Sequence, residues 1–245
     1  MKLKHDSAKE RPNEAAATAH FEFDALREAS NYRRALVQEF SPFLQGRVIE
    51  IGSGIGQITE ALRVLPEIKF LQSIEPDAGF CAQFKKNLPG QPLIEGTIEN
   101  VEQGMNWSAI LSINVLEHIR DDEGELRRYH QLLQREKGTI NLFVPARQEI
   151  YAPIDKDFGH HRRYAKPELK RKLEEAGFEI VRLRYFNFVG YFAWWATFCV
   201  LKKRAFDVGS VRLYDKVIFP CVYGFERNIL APPFGQSLLA VARAK

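Results

Sequence analysis

The chain has 245 residues, 45% of them hydrophobic and 27% charged, with a formal net charge of +4, enough for one large domain with a sizeable core. Acidic and basic residues alternate without a long basic run, which argues against a nucleic-acid partner. The three cysteines, Cys81, Cys199 and Cys221, are far apart and lack C-x-x-C spacing, which argues against a disulfide framework or a thiolate zinc site and for a reducing, cytoplasmic setting.

Residues 1–14 are polar and charged with no apolar run, so a flexible tail is expected rather than a secretory signal, with residues 15–245 as a single domain. Over 15–44, apolar residues including Phe21, Leu26, Tyr32, Leu36, Val37 and Phe40 recur at helical spacing until Ser41-Pro42 stops them. One or two helices therefore precede the first strand. Val48-Ile49-Glu50-Ile51 is a β-branched run closed by Gly52, Gly54 and Gly56, after which helix formers resume. This reads as strand, tight loop, helix N-terminus, where residues without Cβ let a ligand lie against the backbone. A dinucleotide fingerprint would need its third glycine at position 57, which is Gln57. Glu50 would repel a pyrophosphate but suits a cationic ligand such as the amino group and sulfonium of S-adenosylmethionine.

Residues 70–75 form a second strand ending in Glu75, about twenty residues past the glycines, where a carboxylate can accept hydrogen bonds from both ribose hydroxyls of a nucleoside. The pattern continues with a helix over 78–87, a short strand over 92–94, a strand over 107–113 ending at Asn114, a helix over 123–134 and a strand over 139–144. A helix over 166–177 leads to a sixth strand over 178–185, and 236–244 supplies a seventh. The first five strands, alternating with helices, predict a doubly wound parallel sheet. Residues 186–235, between strands six and seven, are expected to form an α-helical cap.

Taken together, Asn31-Tyr32-Arg33-Arg34, the Glu50-to-Gly56 loop, the Asn114-Val115-Leu116-Glu117-His118-Ile119 block and Asp155-x-x-x-Gly159-His160-x-Arg162-Arg163-Tyr164 resemble the class I S-adenosylmethionine-dependent methyltransferases. The likeness is to a subgroup associated with glycan, lipid-linked sugar and other small-molecule modification. It implies a Rossmann-like seven-stranded α/β sheet with N-terminal helices. It further implies S-adenosylmethionine as cofactor, S-adenosylhomocysteine as product, and cofactor contacts from Tyr32, Glu50, Gly52, Gly54, Gly56, Glu75, Ile98, Glu99, Asn114 and His118. Ile98 and Glu99 fall where an adenine loop would lie, although Thr97 stands where many relatives carry an acid.

The loop after strand five should carry the acceptor chemistry, because parallel strands deliver their following loops to the cofactor edge. His160 can serve as a general base, with Asp155 to orient it. Arg162, Arg163 and Tyr164 are candidates for holding an acceptor, as is Trp194 in the cap. The expected reaction is methyl transfer to a hydroxyl of a small-molecule, sugar or lipid-linked acceptor, with an amine or carboxylate as the alternative. A binding subunit without catalysis is the rival of another class, and Glu50 and Gln57 disfavour an NAD-dependent oxidoreductase. No metal is expected: Glu117 and His118 are adjacent, so they face different directions on a helix, and no third ligand is near in sequence. The aromatic run 186–204, ending in Lys202-Lys203-Arg204, is too short to span a membrane. It reads as a lid, a membrane-surface contact or a dimer face, in a monomer or homodimer.

Overall fold

The structure, a computed structural model, describes residues 28–102, 104–228 and 232–245. Seven strands form one sheet: β1 (Gly46–Ile51), β2 (Ile68–Glu75), β3 (Leu93–Glu95), β4 (Ala109–Ile113), β5 (Thr139–Pro145), β6 (Phe178–Phe186) and β7 (Ser237–Ala244), in the order β3-β2-β1-β4-β5-β7-β6. The pairs β1·β2, β1·β4, β2·β3 and β4·β5 are parallel, whereas β7 runs antiparallel to both β5 and β6. The chain order reverses between β1 and β4, so a crevice opens beyond the carboxyl ends of these two strands.

The β-branched strand cores are buried because both sheet faces are covered. Alternate residues feed opposite layers. Ile49, Ile110, Ile140 and Leu142 pack with Leu126, Tyr129 and Leu133 of α4 (Asp122–Leu133) and with Leu169 and Leu173 of α6 (Lys166–Glu175). On the other face Val48, Leu111, Phe143 and Val241 meet Leu36 and Phe40 of α1 (Ser30–Phe40). The remaining sheet helices are α2 (Thr59–Leu62), a single turn where helix formers resume after the glycines, and α3 (Ala78–Asn87). Residues 54–58 before α2 are taken up by the turns that close the glycine loop.

After β5 the expected polar loop contains a short helix, α5 (Pro153–Asp157). Between β6 and β7 the chain forms α7 (Phe188–Trp194), α8 (Val208–Leu213) and α9 (Phe219–Asn228), with π-helical turns at Trp195–Val200 and Tyr214–Ile218. Asp215, buried in the second of these turns, accepts the N–H groups of Asn31 (3.0 Å) and Tyr32 (2.8 Å). It thereby caps α1, whose own preceding residue Ala29 provides no side-chain acceptor. The cap and the N-terminal helix are thus tied together beside the sheet edge. Among the described residues no helix is long and apolar enough to cross a membrane.

Candidate active site

Two cavities lie beyond the carboxyl ends of the parallel strands. One, of about 320 Å³, is bordered by Glu50, Gly52, Glu75, Val115 and His118. The other, of about 340 Å³ and under the cap, is bordered by Tyr32, His160, Arg163, Trp194 and Phe198. Asn114 and Phe158 border both, so the cavities meet at these two side chains. Asn114 stands at the end of β4 with a φ of 52°, a left-handed conformation that asparagine tolerates better than most residues.

The glycine loop is fixed by geometry and space together. Gly52 and Gly56 have φ values of 68° and 91°, and a Cβ would come within 2.3 Å of Val115 Cγ2 at the first and 2.6 Å of Leu88 Cδ1 at the second. Any side chain would strain the turn and collide with its neighbours. Gly54 donates its N–H to Oε2 of Glu75 at 2.8 Å, and the N–H of Asp77 reaches Oε1 at 2.9 Å. Burial raises the Glu75 carboxyl above its ordinary range, while these two N–H bonds pull the other way. A carboxylate has about four acceptor sites, so two remain for ligand hydroxyls.

Glu50 sits one strand away and is almost wholly buried. Its Oε2 accepts hydrogen bonds from Thr59 Oγ1 (2.6 Å) and Ser73 Oγ (3.0 Å). Burial pushes its carboxyl up to about 7 despite these hydroxyls, and the charge on Glu75 adds to the effect. Such a carboxyl gains from a cationic neighbour.

On the cap side, Asp155 organises the loop after β5. Its Oδ1 is 2.9 Å from His160 Nδ1 and 2.8 Å from the Arg163 guanidinium, and its Oδ2 takes the Ala152 N–H at 2.8 Å, holding the first turn of α5. Burial opposes charge on Asp155, but His160 and Arg163 outweigh it and hold the carboxyl below the usual range. The Arg163 guanidinium also lies 4.3 Å from the Trp194 ring centre, and Trp194 donates its indole N–H to the Ile150 carbonyl at 3.0 Å. His118 packs edge-on against His160 with ring centres 4.7 Å apart. Burial, then His160 and His161, drive the His118 imidazole down to about 4.

The fold therefore brings together Glu50, Gly52, Glu75, Asn114 and His118 around one cavity, and His160, Arg163 and Trp194 around the other. Other expected site residues lie elsewhere. Tyr32 borders the cap cavity rather than the glycine-loop cavity, its ring against Phe143, Phe186 and Phe219. Ile98 is in the core with Trp107, because the 3₁₀ turn Ile98–Asn100 points it inward, and Glu99 is at the surface paired with Arg128 at 3.1 Å. Neither borders either cavity. Arg162 reaches Asp122 at 2.6 Å, and the Tyr164 hydroxyl donates to the same carboxylate at 2.8 Å. Lys172 completes this network at 2.7 Å, so Arg162 and Tyr164 pin the loop to α4 and α6. Phe158 went unremarked in the sequence, although its place directly before Gly159-His160 was a usable signal. Asp215 gave none.

A family model described as a methyltransferase domain matches residues 23–183, well over half of the chain. The chain belongs to the methyltransferase domain family. The enzyme is accordingly an S-adenosylmethionine-dependent methyltransferase. The residues present fit that donor: Glu75 retains acceptor capacity for ribose hydroxyls, Glu50 is poised for a cation, and Gly52 and Ser53 border the same cavity, whereas the expected Gly54 and Gly56 are buried beneath it and shape the turn. Solved structures share the fold of this methyltransferase at low identity. A methyltransferase of Haloferax volcanii in complex with the Trm112 methyltransferase activator has a TM-score of 0.62 at 14% identity, covering 96% of this chain and 99% of that one. An S-adenosylmethionine-dependent methyltransferase of Thermotoga maritima has a TM-score of 0.61 at 17% identity, covering 95% and 100%. The 1,6-didemethyltoxoflavin-N1-methyltransferase of Burkholderia thailandensis, with 1,6-didemethyltoxoflavin and S-adenosylhomocysteine bound, has a TM-score of 0.57 at 16% identity, covering 98% and 93%. Comparison with curated protein sequences gives no match.

Proposed function

We propose that the methyltransferase acts on a hydroxyl of a small or lipid-linked acceptor seated under the cap. The observation that carries this reading is the meeting of the two cavities at Asn114 and Phe158, with the Asp155–His160 pair on the acceptor side. Transfer from a sulfonium is an in-line displacement, so donor and acceptor must approach the methyl group from opposite sides, and holding them there supplies much of the rate. The new O–CH3 bond forms as the S–CH3 bond breaks, S-adenosylhomocysteine leaves, and the hydroxyl proton is lost. A hydroxyl is weakly acidic, so it needs activation that a neutral amine does not. The Asp155–His160 contact supports such activation, with Asp155 as the positioning residue and His160 as the base.

The lining of the cap cavity supports this acceptor class. Trp194, Phe198 and Phe206 offer an apolar wall, while Asn187, Gln236, Lys203 and Asp207 offer polar and charged groups of both signs, a combination that suits an amphiphile with an apolar body and a hydroxyl-rich head. The outer face of the cap extends the apolar surface: Phe192, Trp195, Val200, Leu201, Leu213 and Val217 are all large and exposed. That face supports an acceptor taken from a lipid surface.

The test is transfer of a labelled methyl group from S-adenosylmethionine to panels of sugars, phenols and polyprenyl-linked sugars, with the product bond identified by mass spectrometry and NMR. O-methyl products are expected. Labelling confined to nitrogen or to a carboxylate would overturn the hydroxyl reading.

A further inference from the structure

Glu117 and His118 lie in the turn after β4, and His160 lies in the loop after β5, yet the fold places one ligand atom of each within 4.8 Å of the others. We propose that Glu117, His118 and His160 bind a divalent metal ion of the zinc or manganese type at the boundary between the two cavities, where it binds the acceptor hydroxyl. This deepens the hydroxyl reading and rests on it for the role of the ion, but the ion site itself stands on geometry.

The donor set comes first. Two imidazoles and one carboxylate form a ligand group suited to borderline divalent ions, and three protein ligands leave coordination positions open for substrate. Ligand atoms about 2.1 Å from a common tetrahedral ion lie about 3.4 Å apart. His160 Nε2 and Glu117 Oε1 are 3.9 Å apart, so closure onto an ion needs side-chain shifts of about 1 Å or less, against the 4.8 Å limit of the cluster.

The surroundings are those of a supported site. Asp155 Oδ1 engages His160 Nδ1 at 2.9 Å and so orients the ring with Nε2 3.9 Å from Glu117 Oε1. A carboxylate behind a ligating histidine is the usual outer-shell arrangement, fixing both tautomer and ring orientation. His118 is held by a hydrogen bond with the main chain of Gly159, and its Nδ1 is 3.7 Å from the point a Gly159 Cβ would occupy. The two ligand segments are joined directly, since the His161 N–H donates to the Glu117 carbonyl at 2.8 Å. Glu117 is wholly buried, and a carboxylate there gains strongly from a nearby positive charge.

Position supplies the function. His118 borders the donor cavity and His160 the acceptor cavity, with Asn114 and Phe158 shared. An ion between them faces both the incoming hydroxyl and the methyl group. A protein-bound zinc ion can lower the pKa of bound water from 15.7 to about 7, other divalent ions act in the same direction, and a bound alcohol responds in the same sense. The hydroxyl proton passes to solvent, the oxygen takes the methyl group, and the ion's oxidation state is unchanged. His160 then acts by holding the ion.

The test uses the full-length chain, stripped of metal with a chelator and titrated separately with Zn²⁺, Mn²⁺ and Co²⁺ by calorimetry, with the Co²⁺ visible absorption as a second readout. One equivalent of at least one of these ions is expected to bind. Glu117→Gln should weaken this binding more than ~100-fold, and Asp155→Asn by about 10- to 100-fold, the range for an outer-shell partner. Binding of S-adenosylhomocysteine to Glu117→Gln, measured alongside, shows that the variant is folded. No stoichiometric ion binding by a wild-type protein that binds S-adenosylhomocysteine would overturn the site while leaving methyl transfer standing. Ion binding unchanged in Glu117→Gln and in His160→Ala would also overturn it. Stoichiometric binding lost in both, together with labelling of acceptors only on nitrogen, would retain the ion site and reject the hydroxyl reading.

Discussion

Asp155 fixes the imidazole of His160: Oδ1 and Nδ1 are 2.9 Å apart, and both side chains are buried. The same oxygen receives the Arg163 guanidinium, so one carboxylate sets the orientation of two side chains that border the acceptor cavity. Asp155→Asn leaves Arg163 buried without its counter-charge, which should cost about 3–5 kcal/mol of stability. Turnover should fall by about 10²- to 10⁴-fold if hydroxyl activation depends on the pair. Denaturant titration and steady-state kinetics measure the two effects separately, and an unchanged unfolding midpoint would remove Asp155 from its place as the hub of the loop.

Glu75 joins the glycine loop to the second strand through the Gly54 N–H. Glu75→Ala should weaken S-adenosylhomocysteine binding by about 1.5–3 kcal/mol, the loss expected for hydrogen bonds to a charged acceptor. Calorimetry on the variant decides this, and an affinity equal to wild type would take the carboxylate out of cofactor binding.

Glu50 gives cofactor binding a pH dependence. Its carboxyl, raised by burial to about 7, is largely protonated below that pH in the ligand-free protein, and a sulfonium favours the ionised form. Affinity for S-adenosylmethionine should therefore rise about tenfold per pH unit on approaching pH 7 and level off above it, with proton release on the acid side. For folding, the sign is opposite to that of a salt-bridged acid: ionisation costs the buried state, so the contribution of Glu50 to stability declines as pH rises from the ordinary carboxylate range to about 7. Calorimetry in buffers of different ionisation enthalpy tests the linkage, and Glu50→Gln should abolish it.

Glu39 behaves in the reverse way. It is buried on α1 and paired with Arg182 at 2.7 Å and Arg184 at 2.8 Å on β6. Burial alone would raise its carboxyl, but the arginines and the Tyr223 hydroxyl outweigh it and the net shift is downward. Its contribution is fully present above the unfolded carboxylate pKa and is lost as pH falls through the lower folded value. Stability measured against pH should drop below about pH 4.5, and Glu39→Gln should show both lower stability at pH 7 and a shallower acid limb.

The exposed apolar face of the cap adjoins Lys202, Lys203 and Arg204, of which Arg204 also pairs with Asp157. The methyltransferase should co-sediment with anionic vesicles at low salt, and charge reversal at Lys202 and Lys203 should reduce the bound fraction several-fold, since each basic residue near such a surface is worth about 1 kcal/mol. Equal binding to neutral and anionic vesicles would assign membrane contact to the apolar residues alone, and no binding to either would assign the face to a lid or to a second copy, which size-exclusion separates.

The legible parts of the site were those written in short stretches of chain. Gly52, Gly54 and Gly56 stand at positive φ, a demand that a turn makes on its own residues. Glu75 ends a strand signalled by the apolar residues Phe70, Leu71 and Ile74, although the strand starts earlier, at Ile68. The succession of strands and helices along the chain, with helices between β6 and β7, followed from alternating periodicity. The same locality misled at Arg162 and Tyr164: the run is plainly polar, but neighbours in an extended segment point to opposite sides, and of the three only Arg163 turns to the cap cavity. Ile98 and Glu99 were misplaced for a similar reason, since a single 3₁₀ turn sends one into the core and the other to the surface.

By itself, then, the sequence determined the glycine turn, the two acids that flank it, the seven-stranded architecture and the membership of Asp155 and His160 in one loop, because backbone conformation and periodicity are set within a few residues. The tertiary structure alone decided which side chains meet: Asp215 with the start of α1, 183 residues from Tyr32, and His160 with Glu117 and His118. Those meetings depend on strand order, which lays the ends of β4 and β5 side by side and so brings loops distant in sequence into a common crevice.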